Sequence, residues 1–206
     1  MKPTLKQPLL ALALAALFAN TANTAYAADA KNIIFFLGDG MGPATVTASR
    51  IYKYGEDGSL TMDKLERTAR IKTYSNDAQT TDSAPSMAAY MTGVKQRNEV
   101  LSMDGATFAK APSSDKSVTP NVSNAVNNCP VTGNGTSVPT LLEQAIAKGK
   151  ATGAITTTRL THATPAATFS HVCHRDAEYD ISRQAVPGGA GYNAAHGNGI
   201  DVLMGG

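Results

Sequence analysis

Five apolar residues in a row, Ile33-Ile34-Phe35-Phe36-Leu37, run without polar alternation into Gly38-Asp39-Gly40-Met41-Gly42. A run with no period of two suits a strand buried on both faces, which occurs where helices cover both sides of a parallel sheet. Pro43 follows the turn and fits the first position of a helix, which residues 44–54 continue. This strand–turn–helix order sets Asp39 at the carboxyl end of a central strand, where open α/β sheets build their sites.

The rest of the chain extends the same alternation. Residues 69–74 are a second strand candidate, and 76–82 are polar and turn-like. A helix is expected over 83–91, capped by Asp82 and stopped at Gly93. Residues 102–135, rich in Ser, Asn, Pro and Lys, read as a loop or insertion. A helix over 137–148 has Ser137 as its cap, Leu141, Leu142, Ala145 and Ile146 as its apolar stripe, and Gly149 as its stop. Residues 151–157 read as a strand, Pro165 opens a helix reaching about Arg175, 187–199 form a Gly-rich mobile segment, and 200–203 begin a short strand. Repeated strand–helix units imply an α/β fold with a parallel-rich central sheet flanked by helices. No helix follows the last strand, so the fold is expected to be incomplete at the C-terminus.

Residues 1–27 read as a signal peptide: Lys2 and Lys6, an apolar stretch over 8–18, and Ala25-Tyr26-Ala27 before the cut. The apolar stretch is shorter than the roughly 20 residues a membrane span needs. The expectation is therefore an exported protein, periplasmic or extracellular, in which 28–206 form the N-terminal part of one domain and hold no membrane span. The formal net charge is +2 and the leader holds two of the lysines, which gives no reason to expect nucleic acid as a partner. Cys129 and Cys173 could bridge after export or stay as thiols.

Three clusters carry the chemistry. Asp39 lies between glycines that let a cation and a phosphate approach the backbone. The segment is not a dinucleotide fingerprint, because Pro43 stands where the third glycine is needed and Asp39 would repel a pyrophosphate. Asp82-Ser83-Ala84 begins a helix, so the Ser83 hydroxyl sits in a field of N–H donors that favours an anion. His162 and Thr164 stand two apart at a strand end, suited to a metal site, and Arg175 offers a fork for two phosphate oxygens. His171 and His174 are expected to have structural or supporting roles, and His196 no specific one.

Taken together, the strand and turn over 32–42, Thr81-Asp82-Ser83-Ala84, Thr92-Gly93-Val94-Lys95, the block over 162–167, Arg175 and the closing 201–206 resemble the alkaline phosphatase family. The resemblance implies the family's three-layer α/β sandwich and hydrolysis of small phosphomonoesters through a phosphoserine. It implies Ser83 as nucleophile, Arg175 on the phosphate oxygens and Asp82 orienting Arg175. It also implies two zinc ions and one magnesium ion, with Asp39 bridging the second zinc and the magnesium, and His162 and Thr164 in the magnesium site. The family is usually homodimeric. Its remaining ligands come from a later part of the chain than this sequence reaches, so the isolated piece is expected to be inactive. A related phosphodiesterase or sulfatase, or a non-catalytic phosphate-binding protein, are the competing readings; Ser83 followed by Ala84 speaks against the first two.

Overall fold

The computed structural model describes residues 30–114, 125–126 and 134–206. The leader and Cys129 lie outside the described residues. The chain divides into two units, 1–38 and 39–206. In the first, residues 33–37 form no strand, and their side chains are exposed, Phe36 at 89%. The expected central strand is thus corrected. An apolar run records a gain from burial, but it cannot by itself supply the neighbouring strands that make a ladder. Residues 69–74 are likewise irregular, and the Tyr74 ring lies under the Lys95 ammonium instead.

In the second unit, α1 (Pro43–Tyr54) starts on Pro43 and closes at Gly55, whose φ of 78° few side chains tolerate. It buries no residue. A 3-10 turn, Thr61–Lys64, follows. Helix α2 (Ser83–Thr92) begins on its expected cap: the Asp82 carboxylate accepts the Ala84 N–H at 2.6 Å. It ends at Gly93 in the left-handed region, φ 73°. The long segment after it holds a two-residue antiparallel pair, β1 (Ser113–Ser114) and β2 (Ala125–Val126).

Helix α3 (Leu141–Ala147) starts later than the sequence suggests. Its cap is Thr140, whose hydroxyl accepts the Glu143 N–H while the Glu143 carboxylate accepts the Thr140 N–H. Ser137 is drawn instead into a bridge with Met103. Strands β3 (Gly153–Ile155) and β4 (Val202–Met204) pair in parallel, Ala154 opposite Leu203. The connection between them carries α4 (Ala163–Ala166) and α5 (Glu178–Ala185), so the unit is β–α–β, as the alternation implies.

Helix α4 is one turn long and does not reach Arg175. Thr168 Oγ1 donates to the Pro165 carbonyl and Ser170 Oγ to the Ala166 carbonyl, beside the Thr168 and Ser170 N–H groups that donate to the same two oxygens. The chain then crosses to pair Val172 with Leu101 in an antiparallel bridge. The core lies where α2 meets α4. Ala84, Ala88, Ala163, Ala166 and Ala167 are almost fully buried there, beside Met87, Met91, Leu101, Phe169, Val172 and Ile181. Small side chains allow the two helices to approach closely. Cys173 is buried and disulfide-bonded.

A second buried cluster, polar this time, joins α3 to the Gly-rich segment. His171 Nδ1 donates to the Ser102 carbonyl at 2.7 Å, and Nε2 donates to Glu143 Oε1 at 2.8 Å. Both partners only accept, so His171 is an imidazolium. Asn193 Nδ2 donates to the same Glu143 oxygen at 2.6 Å and lies 3.2 Å from His196 Nε2. His196 is fully buried with its ring edge-on to Phe169 and Tyr192, so it has a specific structural place after all. Burial lowers the His196 pKa. Burial alone would raise Glu143, but hydrogen bonds from His171 and the Thr140 N–H outweigh it and hold Glu143 at about 2. Burial would lower His171, but Glu143 and the Ser102 carbonyl raise it.

These shifts fix the sign of a pH effect. The His171 contribution is fully present below its ordinary 6.5 and is lost as pH rises through the raised value. The Glu143 contribution is present above its ordinary 4.5 and is lost as pH falls towards about 2. Melting temperature should therefore fall as pH rises from 6.5 into the alkaline range, and more steeply than in His171→Gln, as read by calorimetry. Glu143→Ala, which strands a buried imidazolium, should cost about 3 kcal/mol in denaturant unfolding at neutral pH.

Candidate functional site

Ser83 is the first residue of α2, so its hydroxyl stands at the open end of the helix. Asp82, one residue before, is the hub of the surroundings. Its Oδ1 accepts the Ala84 N–H and, at 3.0 Å, Nη1 of Arg175. Its Oδ2 accepts the Glu99 N–H at 2.5 Å. Arg175 Nη1 also donates to Ser83 Oγ at 2.9 Å. The carboxylate, the hydroxyl and the guanidinium therefore share one hydrogen-bonded cluster, with Asp82 and Arg175 about one-fifth exposed.

Arg175 comes from the turn between Val172 and α5, not from a helix end as the sequence suggested. Its backbone N–H donates to the Glu99 carbonyl at 2.7 Å, close to the Leu101–Val172 bridge that aligns the two segments. Arg175 Nη2 lies 3.2 Å from His162 Nε2. A guanidinium only donates, so this His162 nitrogen accepts and the proton sits on Nδ1. Nδ1 is buried and has no hydrogen-bond partner among the described residues. His162 precedes α4 as its cap residue, and Thr164 is the second residue of that helix. The expected pairing of these two on a strand end is thus replaced by a helix start.

Thr164 Oγ1 donates to Asp39 Oδ2 at 2.6 Å. Asp39 is exposed and precedes Gly40, whose φ of 63° closes the turn. The six sequence-derived residues therefore fall into two groups. Asp82, Ser83, Arg175 and His162 form one, and Asp39 with Thr164 the other; the two are joined through the short step from His162 to Thr164.

The donor set can be tested against the cations the resemblance implies. A carboxylate and a hydroxyl in contact are hard oxygen donors, the type magnesium takes. They fit as part of such a site. His162 does not offer a lone pair to it in this arrangement, since Nε2 faces Arg175 and Nδ1 carries the proton. No group of three or more His, Cys, Asp or Glu suited to a metal occurs among the described residues.

Two supporting elements left no trace in the sequence pattern. Arg159 makes a two-pronged contact with Glu178, at 3.1 and 2.7 Å, and Thr161 Oγ1 donates to the same carboxylate. This ties the approach to His162 onto the start of α5, and the Arg159 hydrogen bond is the main reason the Glu178 carboxyl lies below its ordinary range. Glu99 contributes through its backbone, which no side-chain motif can announce. Burial, and then the neighbouring Asp82 charge, raise the pKa of the Glu99 carboxyl.

The family model for alkaline phosphatase matches residues 30–206. Alkaline phosphatase 4 of Drosophila melanogaster is 36% identical over 201 residues, covering 88% of this chain and 29% of that protein. The tissue-nonspecific isozyme of alkaline phosphatase from Homo sapiens is 38% identical over 189 residues, covering 86% of this chain and 33% of its own length. The chain thus spans about a third of the length of these relatives. Among solved structures, the alkaline phosphatase of the Antarctic bacterium TAB5 aligns with a TM-score of 0.52 at 21% identity, over 77% of this chain and 35% of that one. A variant of that enzyme with Mg bound in the M3 site aligns with the same TM-score at 22% identity, over 70% of this chain and 33% of that one. The fold is therefore the α/β fold of these enzymes.

Asp82 carries both the helix cap and the ion pair. Asp82→Ala should destabilise by about 2 kcal/mol, at the upper end for loss of a cap, because the Glu99 N–H and Arg175 also lose their acceptor. Asp82→Asn, which keeps an oxygen for the cap, should lose less; urea unfolding of both variants checks the order.

Proposed function

The chain belongs to the alkaline phosphatase family, and we propose that the protein hydrolyses phosphate monoesters with Ser83 as nucleophile. The observation that carries this reading is the shared contact of one guanidinium nitrogen, Arg175 Nη1, with Ser83 Oγ and Asp82 Oδ1. A positive fork beside a hydroxyl at a helix start is a place for a tetrahedral dianion.

The reaction proceeds in two displacements. Ser83 Oγ forms a bond to phosphorus as the ester P–O bond breaks and the alcohol leaves. Water then attacks the phosphoserine, releasing inorganic phosphate and returning the hydroxyl. Arg175 binds the non-bridging oxygens and offsets charge on the phosphoryl group in transit. Asp82 holds the guanidinium in place while its other oxygen is anchored on the Glu99 N–H.

Asp39 and Thr164 would supply oxygen ligands to a magnesium site, and Asp39 would also reach a zinc. His162 flanks that site and would join it by turning Nε2 away from Arg175. When bound, two zinc ions and a magnesium ion lower the pKa of the serine hydroxyl and of the attacking water. The described residues hold no group of three or more His, Cys, Asp or Glu suited to a metal, so the activity is proposed for the metal-loaded whole protein. The leader over 1–27 directs export to the periplasm or beyond, and the whole protein acts as a homodimer; sequence and family likeness support both statements. Among the described residues no helix is long and apolar enough to cross a membrane.

In the metal-loaded whole protein, Ser83→Ala should lower p-nitrophenyl phosphate turnover by on the order of 10⁴-fold. Acid quenching of the wild type should trap phosphate on the peptide that contains Ser83. Chelation should abolish turnover, and zinc with magnesium should restore it. Undiminished turnover in Ser83→Ala would end this assignment.

A further inference from the structure

Glu99 is one of two described non-glycine residues with a positive φ, at 71°. L side chains disfavour that region. Such a conformation persists where its surroundings fix it, and it clusters at functional sites. The surroundings here are explicit. On one side Asn98 is held by its N–H on Asp77 Oδ1 at 2.9 Å. On the other, Leu101 is held by its bridge to Val172.

The left-handed turn points both backbone groups of Glu99 into the site. Its N–H donates to Asp82 Oδ2 at 2.5 Å, and its carbonyl accepts the Arg175 N–H at 2.7 Å. One peptide unit on each side of Glu99 therefore ties the carboxylate to the main chain that carries the guanidinium. This is a second connection between Asp82 and Arg175, independent of their ion pair. The Glu99 carboxyl is raised by burial and then by repulsion from Asp82, with attraction to Arg175 a smaller opposing effect, and its oxygen lies 4.0 Å from His174 Nε2.

We infer that Glu99 is a positioning residue, which through its left-handed backbone fixes Asp82 and Arg175 in the mutual orientation that grips a phosphoryl group. This inference rests on the proposed phosphatase reading. It assigns the role to a backbone conformation, so replacements should rank by how well they accept a positive φ and not by charge or size.

The test is a series at position 99 in the metal-loaded whole protein: Glu99→Gly, Glu99→Asn, Glu99→Ala and Glu99→Val. The readouts are the inhibition constant of inorganic phosphate against p-nitrophenyl phosphate, kcat/KM, and melting temperature. Phosphate affinity should rank Gly and Asn above Ala, and Ala above Val, with Val about tenfold weaker than Gly. The Gly variant should melt about 1 °C higher than the wild type. Repeated in an Arg175→Ala background, the series should collapse to within about twofold, because the grip it tunes is gone. A ranking by charge, or a Val penalty undiminished in that background, overturns the inference. A normal loss of phosphate affinity in Arg175→Ala with a flat Glu99 series overturns the inference alone. Phosphate inhibition unaltered in Arg175→Ala overturns the functional reading, and the inference with it.

Discussion

One buried-edge ion pair organises the site. Arg175 and Asp82 meet at 3.0 Å with only about a fifth of each side chain exposed, and each group has a second task. Asp82 terminates α2 at the residue before the hydroxyl, so the same carboxylate sets the helix start and aims the guanidinium. Arg175 holds the hydroxyl on one nitrogen and the His162 ring on the other. A charge pair alone seldom adds much to stability once desolvation is counted. Its value here is geometric, because it converts the position of a helix end into the position of a phosphate-binding fork.

Much of this was legible in the sequence, for identifiable reasons. Asp82 and Gly93 bracket α2 with the residue types that helix ends require, so the element, its cap and its stop could be read directly. The β–α–β connection between β3 and β4 followed from the alternation of apolar segments with helix signals. What escaped was set by distant partners. The run over 33–37 has the composition of a buried strand but lies exposed and irregular among the described residues. The helix expected from Pro165 ends early, where Thr168 and Ser170, neutral in a periodicity count, turn back onto the Pro165 and Ala166 carbonyls with both hydroxyl and N–H groups. Thr140 displaced Ser137 as a cap because Glu143 three residues on completes the reciprocal pair.

The site shows the same division. Ser83, Asp82 and Arg175 announce themselves through charge and position, 92 and 93 residues separating the arginine from its partners. Glu99 does not, because its peptide groups are chemically those of any residue. His196 hides for a related reason: a histidine among glycines looks idle until Asn193, Glu143 and two aromatic rings are folded around it.

The alanines between α2 and α4 have a consequence for how the site keeps its shape. Ala84 and Ala88 of α2 lie in the same buried cluster as Ala163, Ala166 and Ala167 in and just after α4. A methyl group has no rotamers, so this contact gives up no side-chain freedom on folding. It also has no way to yield, since neither side can swing aside to admit a shifted neighbour. Where these methyl groups line the cluster, the segment bearing Ser83 and the segment bearing Thr164 can adjust to each other by moving backbone and not by changing rotamers.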